Sequence, residues 1–242
     1  MQPAWMVPGL LAVVLVAAWL TAMARGYALR RQLLDQPGER RSHAVATPRG
    51  GGIAIVASQL LACACIGLLF PATAATLAVF SAGLLLVAGI GWWDDHRPLP
   101  ALPRLAVHVL AGLLLAGLVW HWTGDAFRAV SSAVLAIGLI NVWNFMDGVD
   151  GLAATQALLA ALAYALLLPT PVAGLALVLA AGVAGFLPFN FPRARIFMGD
   201  VGSGALGYLL AGLVALGLAT DSAPLAVLLI PAAFFLGRTT VE

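Results

Sequence analysis

The uncharged run TAATLAVFSAGLLLVAGIGWW, from Thr73 to Trp93, is long enough to cross a bilayer as an α-helix, which takes about 20 residues. Similar apolar runs lie at residues 4–24, 53–70, 105–122, 130–145, 152–168, 172–189, 204–220 and 225–236. Prolines mark several of the turns between the runs. The pattern predicts an all-α protein, a polytopic membrane helix bundle of about nine transmembrane helices that forms one integral-membrane domain over residues 1–242.

The composition agrees with this prediction. The chain is 62% hydrophobic and 9% charged, with a mean hydropathy of +1.02, whereas about a quarter of the residues in a soluble domain are charged. An ordinary soluble domain is therefore excluded. Cys63 and Cys65 lie two residues apart inside an apolar run, with no metal-ligand partners nearby, and we expect both to be small core residues.

The arginines fall in alternate connections between the apolar runs. The connections after even-numbered runs contain Arg128, and all the other arginines follow odd-numbered runs. Because basic residues stay on the cytoplasmic side, the odd connections should be cytoplasmic and the N-terminus outside. The first run has basic residues after it and none before it, which predicts a retained signal-anchor rather than a cleaved signal peptide. We expect a multi-pass protein of the bacterial inner membrane with its chemistry at the cytoplasmic face.

Acidic residues gather in two of these cytoplasmic connections. Asp94 and Asp95 end the third run, where neighbouring carboxylates repel and either raise a pKa or recruit a cation such as Mg²⁺. The alternative is a solvated loop start. In NFMDGVDGL, residues 144–152, Asp147 and Asp150 share a face if the helix continues through them. An Asp-Gly turn is the alternative there, although the lack of arginine favours a cation site.

Two further stretches carry candidate phosphate contacts. In NFPRARIFMGDVGSG, residues 190–204, glycines and Ser203 precede an apolar run as in a phosphate-binding turn at a helix N-terminus, with Asp200 as a candidate metal ligand. Close packing of helices is the alternative use of these glycines. In RRSHAVATPRGGG, residues 40–52, the arginines could anchor to anionic lipid headgroups, but His43 and the Pro-Arg-Gly-Gly turn indicate more. We expect His108 to be a packed polar residue.

These motifs, in this order and on one face, resemble the polyprenyl-phosphate N-acetylhexosamine-1-phosphate transferase family over residues 35–207. The resemblance implies transfer of a sugar 1-phosphate from a UDP-N-acetylhexosamine to polyprenyl phosphate, with release of UMP and dependence on Mg²⁺ or Mn²⁺. Residues 191–200 look closer to the O-antigen-initiating branch than to the alternative, the phospho-N-acetylmuramoyl-pentapeptide transferases of peptidoglycan synthesis. The implied partners are these two substrates and the bilayer, with no nucleic acid; a homodimer is possible.

The resemblance also implies roles for individual residues. Asp200 would be the principal Mg²⁺ ligand, Asp147 and Asp150 would support the metal or bind uridine, and Asp94 and Asp95 would handle the lipid phosphate. The residues expected to contact nucleotide, sugar or phosphate are His43, Arg49, Asn144, Asn190, Arg193, Arg195 and Ser203.

The family continues into a further cytoplasmic loop, rich in histidine, and into final helices, whereas this sequence ends at Glu242, where that loop would begin. This predicts a chain that inserts correctly but makes little product. Two alternatives from other classes stay open. One is a secondary transporter, which would place polar residues near the bilayer midplane and often shows inverted repeats. The other is an inactive truncated membrane component. Clustering of the acids at helix ends, without a visible repeat, favours the enzyme.

Overall fold

A computed structural model describes residues 6–35 and 46–233 of the chain. Over these residues the protein is built from α-helices, which confirms the predicted fold class. The helices are α1 Met6–Arg31, α2 Ile53–Leu69, α3 Ala74–His96, α4 Ala101–Thr123, α5 Ala126–Met146, α6 Leu152–Leu167, α7 Val172–Asn190, α8 Asp200–Ala219 and α9 Leu225–Ala233. A short 3-10 turn, Pro71–Thr73, precedes α3, and two short strands, β1 Leu34–Asp35 and β2 Thr47–Pro48, pair antiparallel.

Six of the described helices are long and apolar enough to cross a membrane: α1, α3, α4, α5, α7 and α8. Helices α2 and α6 are apolar but shorter, with 17 and 16 residues, and α9 has 9 described residues. The prediction of about nine helices is therefore confirmed, while six of them meet the length and composition of a membrane span. Which side of a membrane the N-terminus faces stays a prediction.

Helix α8 is the centre of the bundle. Every residue from Val201 to Leu218 is buried, and the helix packs mainly against α3, α4 and α5. Small residues permit this close approach: a Cβ atom on Gly207 would overlap the carbonyl of Leu139, and one on Gly212 would overlap the ring of Phe80. A helix without a lipid-facing side must fit its neighbours all round, so its glycines are packing positions.

We expect Gly207→Ala to destabilise the protein by about 1–3 kcal/mol, because the added methyl group meets backbone of α5 that cannot turn aside. Thermal unfolding in detergent measures the effect. Gly138→Ala is the matched control, since a Cβ at Gly138 has nothing within 4 Å. Equal melting temperatures for the two variants would show that α8 is packed less tightly than described.

Charged side chains divide between the two ends of the bundle. We call one end the carboxylate end: α3, α5 and α7 finish there, α4, α6 and α8 begin there, and it carries Asp94, Asp95, Asp147, Asp150 and Asp200. The opposite end is fastened by Arg128, which lies 3.4 Å from Asp125 and 2.9 Å from Asp221 and donates to the carbonyl of Leu218.

The structure shows the burial of Cys63, Cys65 and His108. Cys63 is buried in α2, but Cys65 is exposed, so the prediction that both belong to the core is wrong for Cys65. Residues two apart on a helix point to nearly opposite sides, and only one side of α2 faces the bundle. His108 is buried within α4, as expected for a packed polar residue.

Candidate active site

The carboxylate of Asp95 joins the end of α3 to the beginning of α8. Its Oδ1 accepts the backbone N–H of Asp200 at 3.0 Å, and its Oδ2 accepts that of Val201 at 3.1 Å. Its side chain is only 1% exposed. The first N–H groups of a helix have no partners within the helix and carry partial positive charge, so a buried carboxylate from another helix satisfies them well.

Asp147, the first residue after α5, binds the segment immediately before α8. Its two carboxylate oxygens accept the backbone N–H groups of Met198 at 3.2 Å and Gly199 at 2.8 Å. Gly199 has φ +70°, and a Cβ there would lie 2.5 Å from Oδ2 of Asp95, so glycine is required both by conformation and by space. Burial raises the pKa of Asp147 well above its ordinary value, against the lowering effect of the two N–H groups.

The predicted phosphate-binding turn at α8 is thus filled by carboxylates. The N–H groups of residues 198–201 go to Asp147 and Asp95, and those of Gly202 and Ser203 go to the carbonyl of Gly199. Ser203 is fully buried, and its hydroxyl donates to the same carbonyl at 3.1 Å. Gly202 lies against Gly52 so closely that neither tolerates a Cβ. The glycines therefore serve close packing, the alternative weighed from the sequence.

Arg104 links two further carboxylates across this end. One nitrogen, Nη1, donates to Oδ2 of Asp94 at 2.9 Å and to Oδ2 of Asp200 at 3.0 Å. The backbone N–H of Leu99 donates to the other oxygen of Asp94 at 2.6 Å. The Asn144 side chain lies beside the Asp200 carboxylate. Two carboxylates so close repel, and the guanidinium offsets that repulsion.

The sequence did not single out Arg104. It stood among the cytoplasmic arginines as one charge of many, at the beginning of an apolar run. Its distance from Asp94, ten residues along the chain, fits no local periodicity, because a turn separates α3 from α4. The sequence offered one signal for Arg104, which is its position. It is the second arginine after the Asp94–Asp95 pair, and it lies on a helix that starts at the same end of the bundle.

The residues following the first connection also reach this end. The N–H of Phe197 donates to the carbonyl of Pro48, and the N–H groups of Gly51 and Gly52 donate to the carbonyls of Phe197 and Met198, all at 2.8–3.0 Å. Arg49 extends from this stretch to Asp95, with Nη2 2.8 Å from its carbonyl oxygen and Nε 3.7 Å from its carboxylate. Two motifs distant in sequence are therefore hydrogen-bonded side by side.

Asp150 and Asn190 hold the loops beside the site. Asp150 accepts the N–H of Ala194 at 3.0 Å, and its other oxygen is buried without a partner among the described residues. The Asn190 amide is used at both ends, accepting from the N–H of Gly151 and donating to the carbonyl of Ile196. Because α5 ends at Met146, Asp147 and Asp150 do not continue on one helix face. They bind different parts of the 191–199 loop.

The remaining predicted site residues lie apart. Arg193 is exposed, and Arg195 stacks over the ring of Phe189 at 5.0 Å and donates to the carbonyl of Pro188. His43 lies outside the described residues. The structure brings together the residues Arg49, Asp94, Asp95, Asn144, Asp147 and Asp200.

The carboxylates of this end meet the needs of a divalent cation only in part. Within residues 6–35 and 46–233, no group of three or more His, Cys, Asp and Glu side chains is placed to hold a metal ion. Mg²⁺ commonly takes one or two carboxylates and completes its shell with water and substrate phosphates. Asp94 and Asp200 supply two such carboxylates, and the point on which their oxygens converge is held by Nη1 of Arg104, which a bound cation would displace. Asp147 fits less well, since both its oxygens accept backbone N–H groups.

Comparison with known proteins places the chain in a class. The sequence profile of glycosyl transferase family 4 matches residues 77–218, which is more than half of the chain, and the chain belongs to this family. The resemblance seen in the motifs is thereby confirmed. The family and the six long apolar helices together describe a multi-pass membrane protein.

Individual relatives are named as sugar-phosphate transferases. The chain is 33% identical to the decaprenyl-phosphate N-acetylglucosaminephosphotransferase of Mycobacterium tuberculosis strain H37Rv, over 83% of this chain and 57% of the relative. It is 36% identical to the enzyme of the same name from Mycolicibacterium smegmatis, over 81% and 57%. It is 34% identical to the phospho-N-acetylmuramoyl-pentapeptide-transferase of Moorella thermoacetica, over 79% and 67%. The matched region thus spans 57% of the mycobacterial relatives' length.

Proposed function

We propose that the carboxylate end transfers an N-acetylhexosamine 1-phosphate from a UDP-sugar to polyprenyl phosphate. The observation that carries the proposal is the convergence of Asp94 and Asp200, from two separate motifs, on one arginine nitrogen at the beginning of a buried helix. The names of the mycobacterial relatives supply the acceptor class and the sugar. A phosphate-transfer site needs opposite charges held close together at fixed positions, and this arrangement supplies them.

In the proposed reaction an oxygen of the lipid phosphate attacks the β-phosphorus of the UDP-sugar. The bond from the β-phosphorus to the oxygen bridging it to the α-phosphorus breaks, and UMP leaves with that oxygen. The product is a lipid-linked sugar diphosphate. Charge accumulates on the phosphoryl oxygens during transfer, so catalysis depends on positioning and neutralisation rather than on covalent help.

This chain's residues divide those tasks. Asp95 and Asp147 fix the backbone before and at the start of α8, which sets the position of Asp200. Arg49 places positive charge beside Asp95, and Arg104 places positive charge beside Asp94. Mg²⁺ or Mn²⁺, held by Asp200 and Asp94, would neutralise the diphosphate. Asn144, beside the Asp200 carboxylate, would help to orient it.

We further propose that the site faces the cytoplasm, in the inner membrane of a bacterium, with the N-terminus outside. Arginines cluster at the carboxylate end, and Arg128 stands at the other end. The product would begin an O-antigen or another cell-envelope polysaccharide. A second candidate reaction has UDP-N-acetylmuramoyl-pentapeptide as donor, and the Moorella relative favours it by name and by its coverage of 67%.

The test is release of UMP in detergent by the purified chain, alone and fused to the C-terminal segment of a mycobacterial relative. We expect release to require both UDP-N-acetylglucosamine and decaprenyl phosphate, to stop in excess EDTA, and to return with added Mg²⁺ or Mn²⁺. UDP-N-acetylmuramoyl-pentapeptide is the donor for comparison. Faster UMP release from it than from UDP-N-acetylglucosamine would favour the second candidate reaction. Full activity in EDTA would contradict the metal proposal, and UMP release without the lipid would contradict the proposed acceptor.

A further inference from the structure

A cavity of about 330 Å³ lies between α1, the beginning of α2 and the end of α3. We call it the α1 groove. One wall is a single stripe of α1, made of Leu20, Met23, Ala24, Tyr27 and Arg30. Each of these positions lies three or four residues from another of them, so together they follow one face of the helix over about 15 Å. Along that face the side chains change from apolar to aromatic to cationic toward the carboxylate end.

Aromatic side chains line the middle of the groove. The Tyr27 ring stacks on Trp92 with ring centres 5.7 Å apart, and its hydroxyl lies 3.0 Å from Nε2 of His96. Nδ1 of His96 is 2.8 Å from the carbonyl of Trp92, and since a carbonyl can only accept, Nδ1 carries the proton. Tyrosine and tryptophan rings of this kind are typical of the depth at which lipid headgroups meet the hydrocarbon.

The polar end of the groove is shared with the site described above. Arg49 and Asp95 belong to both. Nε of Arg49 is buried and has no hydrogen-bond partner among the described residues, although the Asp95 carboxylate lies 3.7 Å away. A buried, unpaired guanidinium donor is costly, and an anion that accepted from it would remove the cost. Arg30 adds a second positive charge at this end.

We propose that the α1 groove binds the polyprenyl phosphate acceptor, with its phosphate against Arg49 and Arg30 and its first isoprene units along Leu20, Met23 and Ala24. The inference rests on the proposed function and adds the place where the acceptor enters. A phosphate monoester has a charge between about −1.5 and −2 at pH 7, which two arginines complement. The phosphate then lies beside Asp95, whose carboxylate holds the beginning of α8.

The lining distinguishes the acceptor from the other substrate. Leu20, Met23, Ala24 and Ile53 offer no hydrogen-bonding side chain to a uridine or a sugar, whose polar groups would lose their water there without replacement. A long hydrocarbon chain has no polar groups to desolvate, and its transfer from water to contact with these side chains is favourable. The order of side chains also runs in the direction an amphiphile needs, with Arg49 and Arg30 at the carboxylate end and the apolar residues farther along α1, toward the middle of the helix.

Kinetics of two variant pairs test the groove. Arg30→Gln should raise the KM for decaprenyl phosphate roughly tenfold and leave the KM for UDP-N-acetylglucosamine within about twofold. Arg97→Gln removes the same charge from an exposed residue of the same end outside the groove and should change neither. Ala24→Trp should fill the apolar part and act like Arg30→Gln, whereas Leu113→Trp, on the exposed side of α4, should not. An unchanged lipid KM in both groove variants would overturn the proposal.

Crosslinking keeps the test independent of turnover and of the folding of the tryptophan variant. Decaprenyl phosphate carrying a photoreactive group on its first isoprene unit should label peptides containing Met23 or Trp92 in the wild-type protein. Excess unlabelled decaprenyl phosphate should compete, and decaprenol, inorganic phosphate and phosphatidylglycerol vesicles should not. Competition by phosphatidylglycerol would assign the groove to ordinary membrane lipid, and labelling elsewhere would place the acceptor on another face. Labelling without UMP release would support the groove while the proposed reaction failed.

Discussion

Replacement of Asp200 by asparagine should lower the rate of sugar-phosphate transfer by about 10²- to 10³-fold while leaving the protein folded. Asparagine has nearly the same shape, so packing at the beginning of α8 should survive. The variant loses the negative charge that pairs with Arg104 at 3.0 Å and that would bind a divalent cation. UMP release per folded molecule, measured at saturating concentrations of both substrates, gives the effect on turnover.

Asp221→Asn is the matched control for Asp200→Asn. Asp221 also pairs with an arginine, at 2.9 Å from Arg128, but it lies at the opposite end of the bundle and its side chain is 81% exposed. We expect the control to keep normal turnover. Near-normal turnover in Asp200→Asn would place the chemistry elsewhere, and an equal loss in both variants would point to a general effect of charge on the preparation.

Asp95→Asn is expected to have the largest effect on stability, about 3–5 kcal/mol. An asparagine can accept with one oxygen only, so its NH₂ group would oppose the N–H of Asp200 or Val201. The change also leaves Arg49 without the charge it faces at 3.7 Å. Thermal unfolding in detergent should show the loss. Hydrogen exchange should become faster at residues 199–203, because the beginning of α8 loses hydrogen bonds to the carboxylate of Asp95.

Asp125→Asn provides the comparison for Asp95→Asn. Asp125 also caps a helix, accepting from the N–H groups of Phe127 and Arg128, but it caps its own helix, α5, and its side chain is 43% exposed. Asparagine caps helices about as well as aspartate, so the change should cost only a few tenths of a kcal/mol. Similar melting temperatures for the two variants would show that the link between α3 and α8 contributes little to the fold.

The helices could be predicted from sequence because a bilayer demands long apolar runs, and each run became one helix. The gathering of Asp94, Asp95, Asp147 and Asp200 at one end also followed, since alternate connections must return to the same side. For helices shorter than a membrane span, such as α6 with 16 residues, the sequence does not decide where the helix lies relative to the bilayer. Apolar composition does not show whether a segment crosses the bilayer or packs within the protein.

The arrangement of the site depended on contacts that no local pattern contains. The glycines around Asp200 looked like a turn for phosphate, but Asp95 and Asp147, from two other helices, occupy its N–H groups. Helical spacing joined Asp147 to Asp150, whereas α5 ends before both. Arg104 could not be identified as a site residue from the sequence, because its partner Asp200 lies 96 residues away along the chain. Each of these depends on how separate helices approach one another.

In the proposed reaction a sugar together with its phosphate, and not the sugar alone, passes to the lipid at the carboxylate end. The most direct measurement follows ³²P placed in the β-phosphate of UDP-N-acetylglucosamine, with decaprenyl phosphate and the purified chain, alone and fused to the C-terminal segment of a mycobacterial relative. We expect the label to appear in the lipid fraction, the released nucleotide to be unlabelled UMP, and Asp200→Asn to suppress both. Labelled UDP in place of unlabelled UMP, or an undiminished lipid label in Asp200→Asn, would contradict the proposed reaction.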